Sequence, residues 1–112
     1  MKEGDVALAV MPQVDQRVKS RPVIVLREMP AHRDVLVCGI STQLQQEIER
    51  FDEIISLADP DFKSSGLLSE SLIRLGFLAI LPRGRIAGSI GAVSPDRHRR
   101  LLRTLAGYLI AA

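Results

Sequence analysis

Two short polar clusters in this chain could do chemistry on a phosphate: Lys19-Ser20-Arg21-Pro22 and Ser41-Thr42-Gln43. Each abuts an apolar run that reads as a buried strand. Val23-Ile24-Val25-Leu26 follows the first cluster, and Val35-Leu36-Val37-Cys38-Gly39-Ile40 precedes the second. Pro22 reads as the first residue of its strand, biasing Arg21 toward an extended backbone and fixing a guanidinium at the mouth of a rigid element. A planar, permanently charged guanidinium matches phosphate oxygens better than an ammonium does. If the two strands are antiparallel neighbours, Arg21 and Ser41 meet at the same end of the sheet. Such a pair can grip a phosphodiester and stabilise the extra charge of its transition state. An arginine used this way supplies ~10³-fold and a positioned donor ~10²-fold. The competing structural account has Ser41-Thr42 capping a turn and Arg21 in a surface ion pair, and on spacing alone that account comes first.

Other chemistries find no support. His32 and His98 lie far apart and outside any ligand-spacing motif, so no metal site is expected. Gly84 to Gly91 is glycine-rich but lacks the Gly-Lys-Ser/Thr ending of a phosphate-binding loop, and no nucleophile elbow is present. No cofactor is expected. Of the remaining polar residues, Arg97, Arg99 and Arg100 read as a solvated helix face, Arg74 as a strand-end cation or a contact, His32 as a turn residue and His98 as an exposed first-turn residue.

The elements that must position the two clusters read as a small, mainly β domain. Val6 to Val10 alternates large and small side chains as a first strand. Pro12 and the segment Gln13 to Lys19 make a charged loop, a flap beside the site. After the second and third strands, Leu44 to Arg50 is polar, and Asp52 to Leu57 carries a further strand. Asp59-Pro60-Asp61-Phe62 reads as a helical turn capped by Asp59. Leu67 to Leu81 reads as one bent strand or two short ones, kinked at Gly76, and Ile86 to Val93 as irregular or twisted. Ser94-Pro95-Asp96 starts a helix to about Leu109, with Leu101, Leu102, Leu105 and Leu109 on its sheet-packing face. The sum is an α+β, barrel-like sheet of short strands closed by a C-terminal helix.

A chain of 112 residues supports one domain and a single core. No window reaches the ~20 apolar residues of a membrane span, no signal peptide is apparent, and a cytoplasmic location is expected. Cys38, the only cysteine, lies in an apolar run and reads as a buried structural thiol. The net charge of +2 is too small to argue for a nucleic-acid partner, yet only Lys2, Lys19 and Lys63 among the fifteen cations are not arginine. With no Trp, one Tyr and three Phe, a broad stacking platform for single strands is poorly supported.

Taken in order, these segments resemble the MazF/PemK family of type II toxin–antitoxin toxins, in its PemK-type branch. The resemblance is carried by Gly4-Asp5-Val6, by Lys19 to Leu26 with its Arg-Pro strand, by Ile40-Ser41-Thr42-Gln43, by Gly66-Leu67 through Ser71-Leu72-Ile73-Arg74, and by Ile90-Gly91 with the closing helix. It covers residues 4 to 110. It implies an SH3-like small β-barrel that forms a homodimer and cuts single-stranded RNA, as an mRNA interferase, without a metal ion. The substrate's 2′-hydroxyl would attack the adjacent phosphate and leave 2′,3′-cyclic phosphate and 5′-hydroxyl ends. The family's catalytic arginine falls on Arg21 and its catalytic hydroxyl on Ser41, usually Thr, with Thr42 adjacent. Some members carry an acid where Ser71 stands, beside Glu70, so the general base stays open. Lys19, Ser20, Thr42, Gln43, Glu70 and Arg74 are the substrate-binding residues this implies. The implied partner is a cognate antitoxin with an acidic, disordered tail that folds into the groove. Two rivals remain: a non-catalytic small-barrel RNA- or protein-binding module, and a structural domain that merely dimerises.

Overall fold

In the computed structural model, which describes residues 1–12 and 18–112, six antiparallel strands form one sheet. They are β1 (Asp5–Pro12), β2 (Val18–Glu28), β3 (Val35–Ser41), β4 (Glu53–Ile55), β5 (Ser71–Leu81) and β6 (Ile86–Ala92). Two helices complete the chain, α1 (Phe62–Ser65) and α2 (Pro95–Ile110), with short 3₁₀ turns at Leu44–Gln46 and Arg83–Arg85. The sheet order is β4-β5-β3-β2-β1-β6. The expected mainly β domain with a C-terminal helix is present, but the ladder does not close. β4 and β6 remain edges, and α1 lies against β6, where the Ser64 hydroxyl donates to the Ala92 carbonyl (3.1 Å).

Alternation along the strands produces two apolar surfaces. One carries Val6, Ile24, Leu26, Cys38 and Ile73 and packs with Leu101 and Leu105 of α2. The other carries Ala7, Ala9, Val23, Val25, Val35, Val37 and Leu81. The central strands bury both faces, which is why they read as continuous apolar runs rather than alternating ones. Cys38 is fully buried, and that burial pushes its thiol up to about 12.

Several expectations change. β2 begins at Val18, so Arg21 and Pro22 sit inside the strand rather than ahead of it, opposite Ala9 and Leu8 of β1. On its other side the β2–β3 pairing starts only at Val23, so Pro22 lies beyond that ladder, where a missing N–H is tolerated. Lys19 is a strand residue, while Gln13 to Arg17, the bulk of the expected flap, lies outside the described residues. The turn after β4 is not capped by Asp59: α1 starts at Phe62, and Asp59 accepts the Ser56 N–H instead. Leu109, in the last turn of α2, is exposed rather than packed on the sheet. His98 is not a free surface group; its Nε2 is 2.8 Å from the Leu26 carbonyl, tying α2 to β2.

The largest revision concerns Arg97. It is buried, not solvated, and its guanidinium meets Asp61 Oδ2 (2.8 Å), Glu53 Oε1 (2.8 Å) and Asp59 Oδ2 (3.0 Å). Arg100 pairs with the same Glu53 at 2.8 Å. Asp61 also accepts the Ser94 N–H at the start of α2. Burial alone would raise the Asp61 pKa, but the Arg97 and Ser94 hydrogen bonds and the Arg97 charge outweigh it and hold the carboxyl below its ordinary value. One cation thus joins β4, α1 and α2. The signal was present as three acids between residues 53 and 61 facing an arginine-rich helix start, but the pairing depends on the fold.

Three outcomes are expected. Arg97→Ala strands Asp61 in a buried site and should lower unfolding free energy by about 3–5 kcal/mol in urea titrations. Because the folded Asp61 value is depressed, its contribution is complete above the unfolded value of about 4 and lost as pH falls through the folded one. Asp61→Asn should therefore flatten the acid limb of stability against pH. Separately, Cys38 should resist a thiol-specific reagent in the native protein and react fully once urea unfolds it.

Candidate functional site

The β2–β3 register decides where the two polar clusters meet. Val23 faces Gly39 in the last ladder pair, and two further residues bring Arg21 level with Ser41. Gly39 in turn faces Arg74 of β5. Opposed residues share a face and alternate residues keep it, so Arg21, Ser41 and Arg74 stand on one face of three adjacent strands. All three line an open groove of about 780 Å³, together with Thr42 and Gln43. The groove wraps the end of the sheet. Leu8, Pro22 and Ile40 line it from the opposite face, and Gly66 to Ser69 with Ile90 form a further wall.

Ser41 is positioned by its own turn. Its Oγ accepts the Gln43 N–H at 3.0 Å, a local bond that fixes the side chain at the strand end. A hydroxyl that accepts one bond still has its hydrogen to donate. The turn-capping role and a catalytic role are therefore compatible in one residue. Gln43 Oε1 accepts from Gln45 Nε2 at 2.8 Å, and Thr42 is exposed beside it. The lining contains two guanidiniums and, among the described residues, no carboxylate or histidine, a surface suited to an anion.

Other expected residues fall elsewhere. Lys19 and Ser20 are exposed further along β2, opposite Met11 and Val10, and do not line the groove. Glu70 is also outside its lining, accepting the Leu57 N–H at 3.1 Å, while Ser71 lines it and donates to the Ser69 carbonyl at 2.8 Å. Among the described residues no three His, Cys, Asp or Glu side chains cluster to hold a metal ion. No helix among them is long and apolar enough to cross a membrane.

Sequence reading missed Phe77, Leu8 and Ile90 in the lining. Gly39, a glycine inside an otherwise apolar strand, was the available signal of a close approach. A Cβ there would stand 2.8 Å from the Phe77 ring. The far wall is set by two more glycines. A Cβ on Gly66 would lie 2.1 Å from the Ile90 carbonyl oxygen, and one on Gly91 would lie 2.3 Å from the Ser64 carbonyl oxygen.

The sequence matches the family described as PemK-like, MazF-like toxin of type II toxin–antitoxin system over residues 2–109. The chain belongs to that family. Among solved structures it is similar to an endoribonuclease in complex with its cognate antitoxin from a mycobacterial species, with a TM-score of 0.70 at 14% identity, covering 97% of this chain and 94% of that one. It is also similar to the Mycobacterium tuberculosis toxin MazF-mt6, with a TM-score of 0.65 at 19% identity, covering 95% of this chain and 98% of that one. No curated protein sequence matches it. The two structural likenesses establish the fold of this PemK/MazF-like toxin across nearly its whole length.

The glycine crossing gives a direct test. Gly91→Ala should force the β6 and α1 backbones apart and destabilise the fold by about 1–3 kcal/mol. Gly88→Ala, on the same strand with nothing within 4 Å of its Cβ position, should change the urea midpoint little.

Proposed function

We propose that this toxin is an endoribonuclease that cleaves single-stranded RNA, its messages included, without a metal ion. The observation that carries the reading is the delivery of Arg21 and Ser41, from neighbouring antiparallel strands, to one open groove lined by cations. The structural similarity to an endoribonuclease bound to its antitoxin supports the same class.

In this mechanism the 2′-oxygen of the substrate attacks the neighbouring phosphorus and gives up its proton to solvent or a base. The bond from phosphorus to the 5′-oxygen breaks, and that oxygen takes up a proton. The products are a 2′,3′-cyclic phosphate and a 5′-hydroxyl. Arg21 neutralises the phosphate and steadies the charge that grows on its nonbridging oxygens. A guanidinium is a poor acid, so it assists the leaving oxygen through electrostatics or an ordered water. Ser41 donates to a nonbridging oxygen, with Thr42 next to it as a second hydroxyl. Gln43 and Arg74 contact the substrate within the groove, and Lys19 and Ser20 extend its polar approach along β2. Glu70 supports the turn that walls it.

The same reading includes two protein partners. A cognate antitoxin with an acidic, disordered tail would occupy the cationic groove and block it, and the toxin would act as a homodimer. Low net charge is compatible with this, since pairing doubles it and a groove concentrates it.

Purified protein incubated with mixed-sequence single-stranded RNA in EDTA tests the proposal. Wild type should yield discrete cuts whose 3′ ends resist polyadenylation until the cyclic phosphate is removed. Arg21→Ala should lose about 10³-fold or more in rate and Ser41→Ala about 10²-fold. RNA binding without cleavage, unchanged in both variants, would instead identify a binding module.

A further inference from the structure

Of the chain's four aromatic residues, three are engaged in packing. Phe51 and Tyr108 pair with ring centres 5.2 Å apart, and Phe62 packs against the core. Phe77 differs. It is half exposed, lines the groove beside Arg21 and Ser41, and is held there by an irregular stretch of β5. Leu78 faces Cys38 and Arg74 faces Gly39, so the three residues Leu75, Gly76 and Phe77 have no partner on β3. This bulge is fastened rather than loose: Asp52 Oδ1 accepts the Leu75 N–H at 3.1 Å, and its Oδ2 accepts the Ile48 N–H at 3.0 Å. The Phe77 ring rests on Gly39, where any side chain would collide with it.

A large apolar ring kept at a wet, cationic surface by a pinned bulge implies something flat laid against it. The geometry points to Phe77 and Arg74 as a clamp for one nucleobase of the RNA, next to the linkage held by Arg21 and Ser41. This rests on the endoribonuclease reading and adds to it the residues that hold the neighbouring base. Arg74 Cζ stands 5.9 Å from the Phe77 ring centre, the outer limit of a cation–π contact and well beyond the ~3.5–4.0 Å of touching atoms. A modest swing of the guanidinium closes it over a base lying on the phenyl ring. Gly39, under that ring, is two residues from Ser41, about 7 Å along the strand and within reach of a single nucleotide. A base is favoured over a peptide side chain because both elements of the clamp stack on π-faces and the adjoining cations suit a phosphate on each side.

Phe77→Leu tests the clamp, keeping apolar bulk over Gly39 while removing the flat ring, and Phe77→Tyr keeps the ring. The cut site is first mapped on mixed-sequence RNA. An oligonucleotide spanning it, with a 2′-O-methyl group at the cleaved linkage, then serves as the binding probe. Expected for Phe77→Leu is a Kd raised about ten-fold, a KM raised in parallel and kcat within two-fold, with Phe77→Tyr close to wild type. An abasic probe should weaken wild-type binding at one position and leave Phe77→Leu unaffected there. If wild type cuts RNA but Phe77→Leu binds every probe as wild type does, the clamp is overturned and the nuclease stands. If Phe77→Leu weakens antitoxin binding alone, the ring serves a protein partner and the clamp is equally overturned. If wild type neither cuts nor binds RNA, both readings fall. Matching urea midpoints for the variants exclude misfolding; should Phe77→Leu fail to fold, Arg74→Gln must show the same abasic-position signature or the clamp is rejected.

Discussion

The buried Arg97 guanidinium is the interaction on which the remaining architecture depends. A six-stranded sheet whose edge strands do not pair leaves both edges open, and a helix of one turn lies against the β6 edge. So short a helix has little stability of its own. It stays because Asp61, at its start, is gripped by the Arg97 guanidinium and by the backbone N–H of Ser94, the residue that caps α2. Glu53 and Asp59 accept the other guanidinium N–H groups from β4 and the intervening turn. Burying the Arg97–Asp61 ion pair is favourable only when each group has its partners, and here no buried side-chain polar atom among the described residues lacks one.

That junction bears directly on the groove. The residues following α1, Gly66 to Ser69, are the wall opposite the β2–β3 strand ends. Holding α1 against β6 therefore sets the width of the opening in which Arg21 and Ser41 stand. The floor is fixed differently, by ladder register. Val23 opposite Gly39 and Gly39 opposite Arg74 leave no freedom in which side chains share the surface. A one-residue slip would turn all three polar groups to the other face and their apolar neighbours out of the core.

How far this was legible in the sequence follows from the range of the forces involved. The strands from Val6, Val23 and Val35 and the helix from Pro95 were readable because apolar runs and capping residues act locally. The meeting of Arg21 and Ser41 was readable only as a condition on strand pairing, and the MazF/PemK resemblance supplied the order in which the segments assemble. Arg97 and His98 were misread as surface groups, since their partners lie 36 and 72 residues away. Pro22 was placed at a strand start because the chain before it is polar, whereas pairing with β1 extends β2 back to Val18. Phe77 escaped notice because its exposure depends on a bulge that no local pattern announces.

The crossing of Gly66 and Gly91 brings main chain against main chain, with no side chain acting as a spacer. The gap between α1 and β6 is consequently fixed by atomic radii and is indifferent to the identity of nearby residues. Leu68 and Ile90, both exposed, can therefore be exchanged for other types without shifting the frame that carries them, whereas Leu67 packs on the core. Shape and chemistry at that wall are separable: the scaffold supplies a constant aperture, and diversity in what passes through it can be written at Leu68 and Ile90.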